Sequence, residues 1–453
     1  MAVLWHDIRL AWQSVRRNPF ISALLVAVIA IGIGTSVVAI TLYHAKTGNP
    51  IWWKNDVLYR PMLDSRPLGR DMELGRNRGR DPPQVLIYRD ALALYQSQIP
   101  KQSVMLLASE GLVDPSGPRG RPFERTVRLT TREFFSMFDV PFLFGGAWSK
   151  SDDEAPSQVV VITRYLSERL FGSGNSVGRS LTFSGQPFKV IGVIDRWLPK
   201  PRFYDAGIDF SPPDDLFIPF RWAEALPDLQ FPGFCQQTRT DVRTFKEIAP
   251  SECISTGLWT ELADKTQYRE YWQFLDSYSR AQQRAGRFAR PVNNRLANVH
   301  TWLEMNNVVD NQSRFQVVLA LIFLGICILN TLGLLLAKFM AVATLTGLRR
   351  ALGATRGDVM RQHLLEVMIL GILAGGIGIG LAEVGLRSIR TYLFSEASDD
   401  NPAYAIINQS LSHMDGKMIL TAFGLSLLAG LFAGIYPAWR IGRLAPATFL
   451  KIQ

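Results

Sequence analysis

The chain is poor in the residues that carry catalysis. Its 453 residues hold three cysteines and five histidines. The histidines (His6, His44, His300, His363, His413) are scattered, and none lies at metal-ligand spacing from a second His or Cys. No G-x-S-x-G nucleophile motif occurs. Asp152-Asp153-Glu154 follows Trp148-Ser149-Lys150, a solvated turn rather than a catalytic carboxylate pair. The sequence therefore predicts no catalytic residue and no metal site. A nucleotide loop is also lacking. FGSGNSVGRS (171–180) has glycines and a hydroxyl, but Gly172 and Gly174 stand at the wrong distances from Gly178, and Arg179 replaces the lysine. Gly416-Lys417 is followed by Met418 and fails as well. No cofactor is expected on this chain; if ATP drives it, ATP and Mg are bound by another.

Charge is missing from three long runs and confined to the ends of a fourth. FISALLVAVIAIGIGTSVVAITLY (20–43), FQVVLALIFLGICILNTLGLLLA (315–337), LLEVMILGILAGGIGIGLAEVG (364–385) and MILTAFGLSLLAGLFAGIY (418–436) are each long enough to span a bilayer. The first is too long for a signal peptide and no small-x-small cleavage site follows it, so it reads as an uncleaved anchor. The spans carry no ionisable residue at mid-membrane, which argues against an ion relay.

The bases are placed unevenly. The tail before the first span has Arg9, Arg16 and Arg17; the loop 338–363 has Lys338, Arg349, Arg350, Arg356 and Arg361; the tail 437–453 has Arg440, Arg443 and Lys451. Only Asp7 and Asp358 oppose them, so these segments carry +9 of the chain's net +10. The positive-inside rule puts them in the cytoplasm. The basic balance is thus a topology signal and does not predict a nucleic-acid partner. Residues 44–314 and the loop 386–417 then face outward.

Within 44–314, residues 44–100 read as mostly Arg/Pro-rich loop, with a helix at QVLIYRDALALYQS. Strand signals follow in QSVMLLAS, ERTVRLT, QVVVIT, SLTF, FKVIGVI and DLFIPF. Residues 221–260 read as irregular. A helix over 268–288 aligns Tyr268, Tyr271, Trp272, Leu275 and Tyr278 on one face, read as core or interface packing. RLANVHTWLEMNNVVD is read as continuing in helix. The fold class expected is an α-helical membrane protein with four transmembrane helices plus a large α+β outer domain. Cys235 and Cys253 lie in that domain, where disulfides form, and are expected to pair; Cys327 lies inside a span.

The loop AVATLTGLRRALGATRGDVMRQHLLEV (341–367) is patterned. Val342, Leu345, Leu348 and Leu352 recur at helical spacing beside Arg349 and Arg350; Gly353 is a C-cap; Thr355 and Asp358 make a capping box for the next helix. LTGLRRALGATRGDVMRQHLLE resembles the cytoplasmic-loop signature of the FtsX-like permease family, the membrane subunits of type VII ABC transporters. TREFFSMFDVPFLFGGAW and VVVITRYLSERLFGSGNSVGRSLTFSGQPFKVIGVI resemble the MacB-type periplasmic core, and AGLFAGIYPAWRIGRLAPATFLK the family's closing segment. The resemblance implies a bacterial inner-membrane permease with four spans, a second permease beside it, and an ATPase dimer docked on the loop through Leu345, Leu348, Arg349, Arg350, Leu352 and Gly353. It implies that ATPase motion is transmitted to the periplasmic domain and that substrate does not cross through the spans. With about 19 residues before the first span, the ATPase is expected on a separate chain.

Efflux of a peptide or antibiotic, with a periplasmic adaptor and outer-membrane channel, is the reading favoured by the large core; lipoprotein release and signalling to a cell-wall hydrolase are the alternatives. Small-xxx-small spacing at Gly371 and Gly375, at Gly376 and Gly380, and at Gly430 and Gly434 predicts close helix packing and assembly. The family's usual acids are replaced by Thr346, Ala445 and Thr448, which points to a heterodimer with a second permease; the homodimer is the simpler rival.

Overall fold

The computed structural model describes residues 2–68, 81–115, 121–206, 213–226, 229–231, 233, 235, 243–306, 311–343, 347–348, 350, 352–396 and 416–443. The chain divides into two units: Gly48–Val308, and Met1–Thr47 joined with Val309–Gln453. The second of these opens with α1 (Ala2–Arg17) and α2 (Pro19–Thr47).

Gly48–Val308 is built on an eleven-stranded sheet. Its elements are β1 (Leu58–Met62), β2 (Leu86–Ile87), α3 (Tyr88–Tyr95), β3 (Gln102–Asp114), β4 (Phe123–Thr130), α4 (Glu133–Met137), β5 (Phe142–Gly145), α5 (Lys150–Glu154), β6 (Val159–Thr163), α6 (Arg164–Phe171), β7 (Ser180–Phe183), β8 (Gln186–Ile194), β9 (Leu216–Pro219), α7 (Trp222–Ala225), α8 (Phe245–Ile248), β10 (Ile254–Glu261), α9 (Lys265–Arg284), β11 (Arg295–Asn298) and α10 (Val299–Met305). The strand order is β11-β1-β10-β3-β4-β9-β6-β8-β5, with β2 on β10, and β7 on β3 and β8. Only β4–β9 and β6–β8 pair parallel among the described strands.

Both faces of the sheet are covered, which is why its central strands read as unbroken apolar runs. Successive side chains alternate between two cores. Met105 and Leu107 of β3, Val160 and Ile162 of β6, and Leu216 and Ile218 of β9 enter one core with Tyr271 and Leu275 of α9. Val104 and Leu106, Val161, and Phe217 enter the other with Phe134, Phe138, Tyr204, Trp259 and Trp302. Arg60 is buried in this aromatic core. Its guanidinium lies 4.3 Å from the Trp302 ring and donates to the backbone oxygens of Gln84 and Tyr204.

The six expected strands correspond to β3, β4, β6, β7, β8 and β9. Three expectations need correction. Residues 44–100 hold β1 and β2 as well as α3, and 221–260 hold α7, α8 and most of β10. RLAN is β11, paired with β1, rather than helix. Pro61 and the charged Arg60 disguised β1 in the sequence, because a strand signal needs uninterrupted apolar or alternating residues. On α9, Tyr271 and Leu275 are buried but Trp272 is exposed.

FGSGNSVGRS links α6 to β7. Gly172 caps α6 with φ +81°, and Gly178 (φ +91°) donates its N–H to the Val190 carbonyl. Cys235 is bonded to Cys253, with Cα atoms 4.2 Å apart. In the chain-entropy picture a bridge over such a separation stabilises by about 3 kcal/mol.

The remaining helices are α11 (Asn311–Ala341), α12 (Arg356–Glu396) and α13 (Gly416–Arg443). With α2 they make four helices long and apolar enough to cross a membrane. Each overruns the apolar run that marked it, because its polar flanks are also helix formers. The break between α11 and α12 is correspondingly shorter than 338–363: it spans 342–355. Leu25, Ile29, Ile33, Leu324, Leu335, Leu370 and Ala374 form the bundle core. Outside it, Phe315, Ile322, Leu329, Ile377, Leu420 and Phe432 are exposed.

Candidate coupling site

The break between α11 and α12 is tightly built. Val342 N–H returns to the Phe339 carbonyl, 3.2 Å away, closing α11. One further helical turn ends where Leu352 N–H reaches the Leu348 carbonyl (3.0 Å) and Gly353 N–H the Arg350 carbonyl (3.2 Å). Gly353 sits at φ +108°, a conformation glycine adopts without a Cβ penalty. Thr355 and Asp358 then form the expected box. Thr355 N–H donates to Asp358 Oδ2 at 3.1 Å, and Asp358 N–H to Thr355 Oγ1 at 3.2 Å.

Leu348 and Leu352 are one helical turn apart and 51% and 80% exposed. Two leucines left outward on a short turn make a small exposed apolar surface. Arg350 is half-buried. Leu345 and Arg349, as well as Thr346, Ala445 and Thr448, lie outside the described residues.

Beneath this turn is a buried polar cluster that sequence reasoning missed. Lys338 of α11 and Glu366 of α12 are 2% and 0% exposed, and Lys338 Nζ lies 2.6 Å from Glu366 Oε1. Ser14 of α1 donates to Glu366 Oε1 (2.9 Å), and Lys338 Nζ donates to Ser22 Oγ of α2 (2.9 Å). His363 Nδ1 stands 3.6 Å from the other carboxylate oxygen, and its ring packs tilted against Phe339, with centroids 4.2 Å apart. An ion pair without water is a poor source of stability: replacing both members by apolar residues is often neutral or stabilising by about 1–4 kcal/mol, while removing one costs about 3–5. The available signal was a glutamate inside the run LLEVMIL, since an ionisable residue within a span is a functional candidate by default.

The glycine stripes divide. Gly371 of α12 faces Gly430 of α13, where a Cβ would stand 3.8 Å from the Gly430 Cα. A Cβ on Gly375 would meet Ser426 Oγ at 2.5 Å, and one on Gly434 would meet Val367 Cγ1 at 2.8 Å. These four glycines bring α12 and α13 of one chain together. Among the described residues, nothing lies within 4 Å of a Cβ at Gly376 or Gly380. Another close approach, where a Cβ on Gly34 of α2 would stand 3.1 Å from the Gly378 carbonyl oxygen, went unread. We expect Gly434→Leu to separate α12 from α13, lowering the thermal midpoint of the detergent-solubilised chain by several degrees, while Gly380→Leu leaves it within a degree; equal midpoints would contradict this packing.

Among the described residues no group of three or more His, Cys, Asp or Glu side chains could hold a metal. Among the described residues of Gly48–Val308, the buried charges other than Arg60 are paired. Arg128 meets Asp214 at 2.9 Å and Asp205 at 2.6 Å. Burial alone would raise the Asp205 carboxyl, but Arg128 and Arg202 hold it well below the usual range. Burial pushes Asp215 up to about 6, only partly offset by Arg125 at 3.4 Å. These groups lock strands together, and Arg202 and Asp214 also line an open cavity of about 790 Å³.

Comparison with known proteins agrees with this division. A family model described as the MacB-like periplasmic core domain matches residues 22–245, and one described as the FtsX-like permease C-terminal region matches 317–446. The pyoverdine export ATP-binding/permease protein PvdT of Pseudomonas aeruginosa is 23% identical over 460 residues, covering 100% of this chain and 59% of that protein. The macrolide export ATP-binding/permease protein MacB of Chromobacterium violaceum is 22% identical over 358 residues, covering 76% of this chain and 47% of that protein. The chain thus spans about half the length of these curated relatives. The crystal structure of the periplasmic region of MacB from Actinobacillus actinomycetemcomitans overlays with a TM-score of 0.36 at 14% identity, covering 58% of this chain and 96% of that one. Between them the two family models take in most of the chain and all four apolar helices, and the chain belongs to the FtsX-like, MacB-type permeases of ABC transporters.

Proposed function

We propose that this chain is the membrane subunit of an ATP-driven exporter, set in the bacterial inner membrane among lipids. Both termini and the break 342–355 are cytoplasmic, and Gly48–Val308 is periplasmic. A separate ABC ATPase dimer, which binds ATP and Mg, docks on the break and moves α11 and α12, and the movement is passed to the periplasmic domain. A second permease, a copy or a relative, stands beside it; a periplasmic adaptor and an outer-membrane channel complete the route. The cargo is a periplasmic or membrane-derived compound.

The observation that carries this reading is the exposed Leu348–Leu352 pair on a rigidly capped turn between two apolar helices, in a chain matched by both permease models. Exposed apolar residues around the helices suit lipid, and the +9 charge surplus sets the direction. The named export systems of the relatives favour efflux over lipoprotein release or hydrolase signalling.

Purification of the tagged full chain from its native membrane tests this. The expected result is a stoichiometric complex with an ATP-binding chain, whose hydrolysis in nanodiscs exceeds that of the ATPase alone several-fold. A permease that purifies with no ATP-hydrolysing chain counts against it.

A further inference from the structure

Four helices meet at the buried Lys338–Glu366 pair. Lys338 lies three residues before the end of α11, and Glu366 ten residues into α12. The pair therefore clasps the two roots of the break 342–355. Each member has a second, directional tie to another helix: Glu366 to Ser14 of α1, Lys338 to Ser22 of α2. Ser22 Oγ also donates to the Val15 carbonyl at 3.1 Å, so α1 is fastened at two neighbouring positions. Around the pair, Ala11 is buried and Val15 packs on the bundle core, whereas Trp12 and Arg16 face outward.

Apolar packing alone would hold these helices together but let them slide, because it is non-directional. Charge-assisted hydrogen bonds fix register and orientation. A lysine and a glutamate shut away from water also resist separation, since each would be left buried and unpaired. Resting on the function proposed above, we infer that Lys338, Glu366, Ser14 and Ser22 are positioning residues. They form a polar joint that makes α1 and the foot of α2 move as one body with the roots of the ATPase-docking turn. A push delivered at Leu348 and Leu352 is then passed to α1 through hydrogen bonds instead of being lost as slippage between apolar surfaces.

The test uses the full chain in nanodiscs, with spin labels at Gln13→Cys on α1 and Arg361→Cys on α12 in a Cys327→Ala background. The unaltered joint should give one narrow distance distribution. Lys338→Met with Glu366→Met should at least double its width while yield and thermal midpoint stay at the unaltered level. In the ATPase complex the same double variant should assemble normally yet lose at least tenfold of the permease-stimulated hydrolysis. Ser14→Ala, which spares the ion pair, should broaden the distribution too, and decides the matter if the double variant does not accumulate. A narrow distribution in Ser14→Ala, or unchanged width and stimulation in the double variant, overturns the joint. The distance measurement needs no ATPase, so failure of the complex to form would count against the proposed function and leave the joint to be judged by width alone.

Discussion

Leu348→Asp combined with Leu352→Asp should abolish capture of the ATPase, lowering its affinity by at least about 100-fold while leaving the permease folded and inserted. Both side chains are exposed, so the substitutions cost the isolated chain little. At an interface they would be buried, and truncating a hot-spot residue there typically costs about 2 kcal/mol or more. Two such losses exceed the roughly 1.4 kcal/mol that separates each tenfold step in affinity. Introduced carboxylates add desolvation. Titration of labelled ATPase onto the nanodisc-embedded chain measures the effect; a less than tenfold change would show that the two leucines are not the dock.

Arg128→Met should be the most damaging single change in the outer unit. Arg128 is 1% exposed and binds Asp214 and Asp205 together. Methionine fills similar volume, so the cost is electrostatic: among the described residues Asp214, itself 2% exposed, keeps Arg202 at 3.8 Å and the Tyr204 hydroxyl at 3.3 Å. Breaking a buried pair from one side typically costs about 3–5 kcal/mol. The loss should be partly recovered in Arg128→Met with Asp214→Leu, which leaves no uncompensated charge at that position. Chemical unfolding of the full chain, followed by the fluorescence of the buried Trp259 and Trp302, reads both values. A single-variant loss below 1 kcal/mol would mean that Arg202 alone suffices.

The division of labour was legible in the sequence because it rests on local signals. Apolar runs long enough to cross a bilayer mark the four helices, and Gly353 followed by Thr355 and Asp358 marks the tight break between two of them. The buried strands β3, β6 and β8 announced themselves as apolar runs. What stayed hidden depends on contacts far apart in the chain. Arg60 looks like a surface residue until β1, β10 and α10 bring Trp259 and Trp302 around it. Lys338 was counted as a loop base because the apolar run stops at Ala337, yet the helix continues to Ala341 and turns the lysine inward onto Glu366. Glycine spacing gave the faces of α12 and α13 but not their neighbours. Gly371 and Gly430 meet within one chain, so the same pattern at Gly376 and Gly380 does not by itself identify a contact.

The most direct test of ATPase docking at the break is photo-crosslinking from position 352 in living cells, with a benzophenone amino acid in place of Leu352 and a control at exposed Glu124 in the outer unit. The account predicts an ultraviolet-dependent adduct between position 352 and an ABC ATPase chain, lost in a Leu348→Asp background, and none from position 124. An adduct to the ATPase from position 124 but not 352, or labelling of Leu352→Cys by a membrane-impermeant thiol reagent in intact cells, would contradict it.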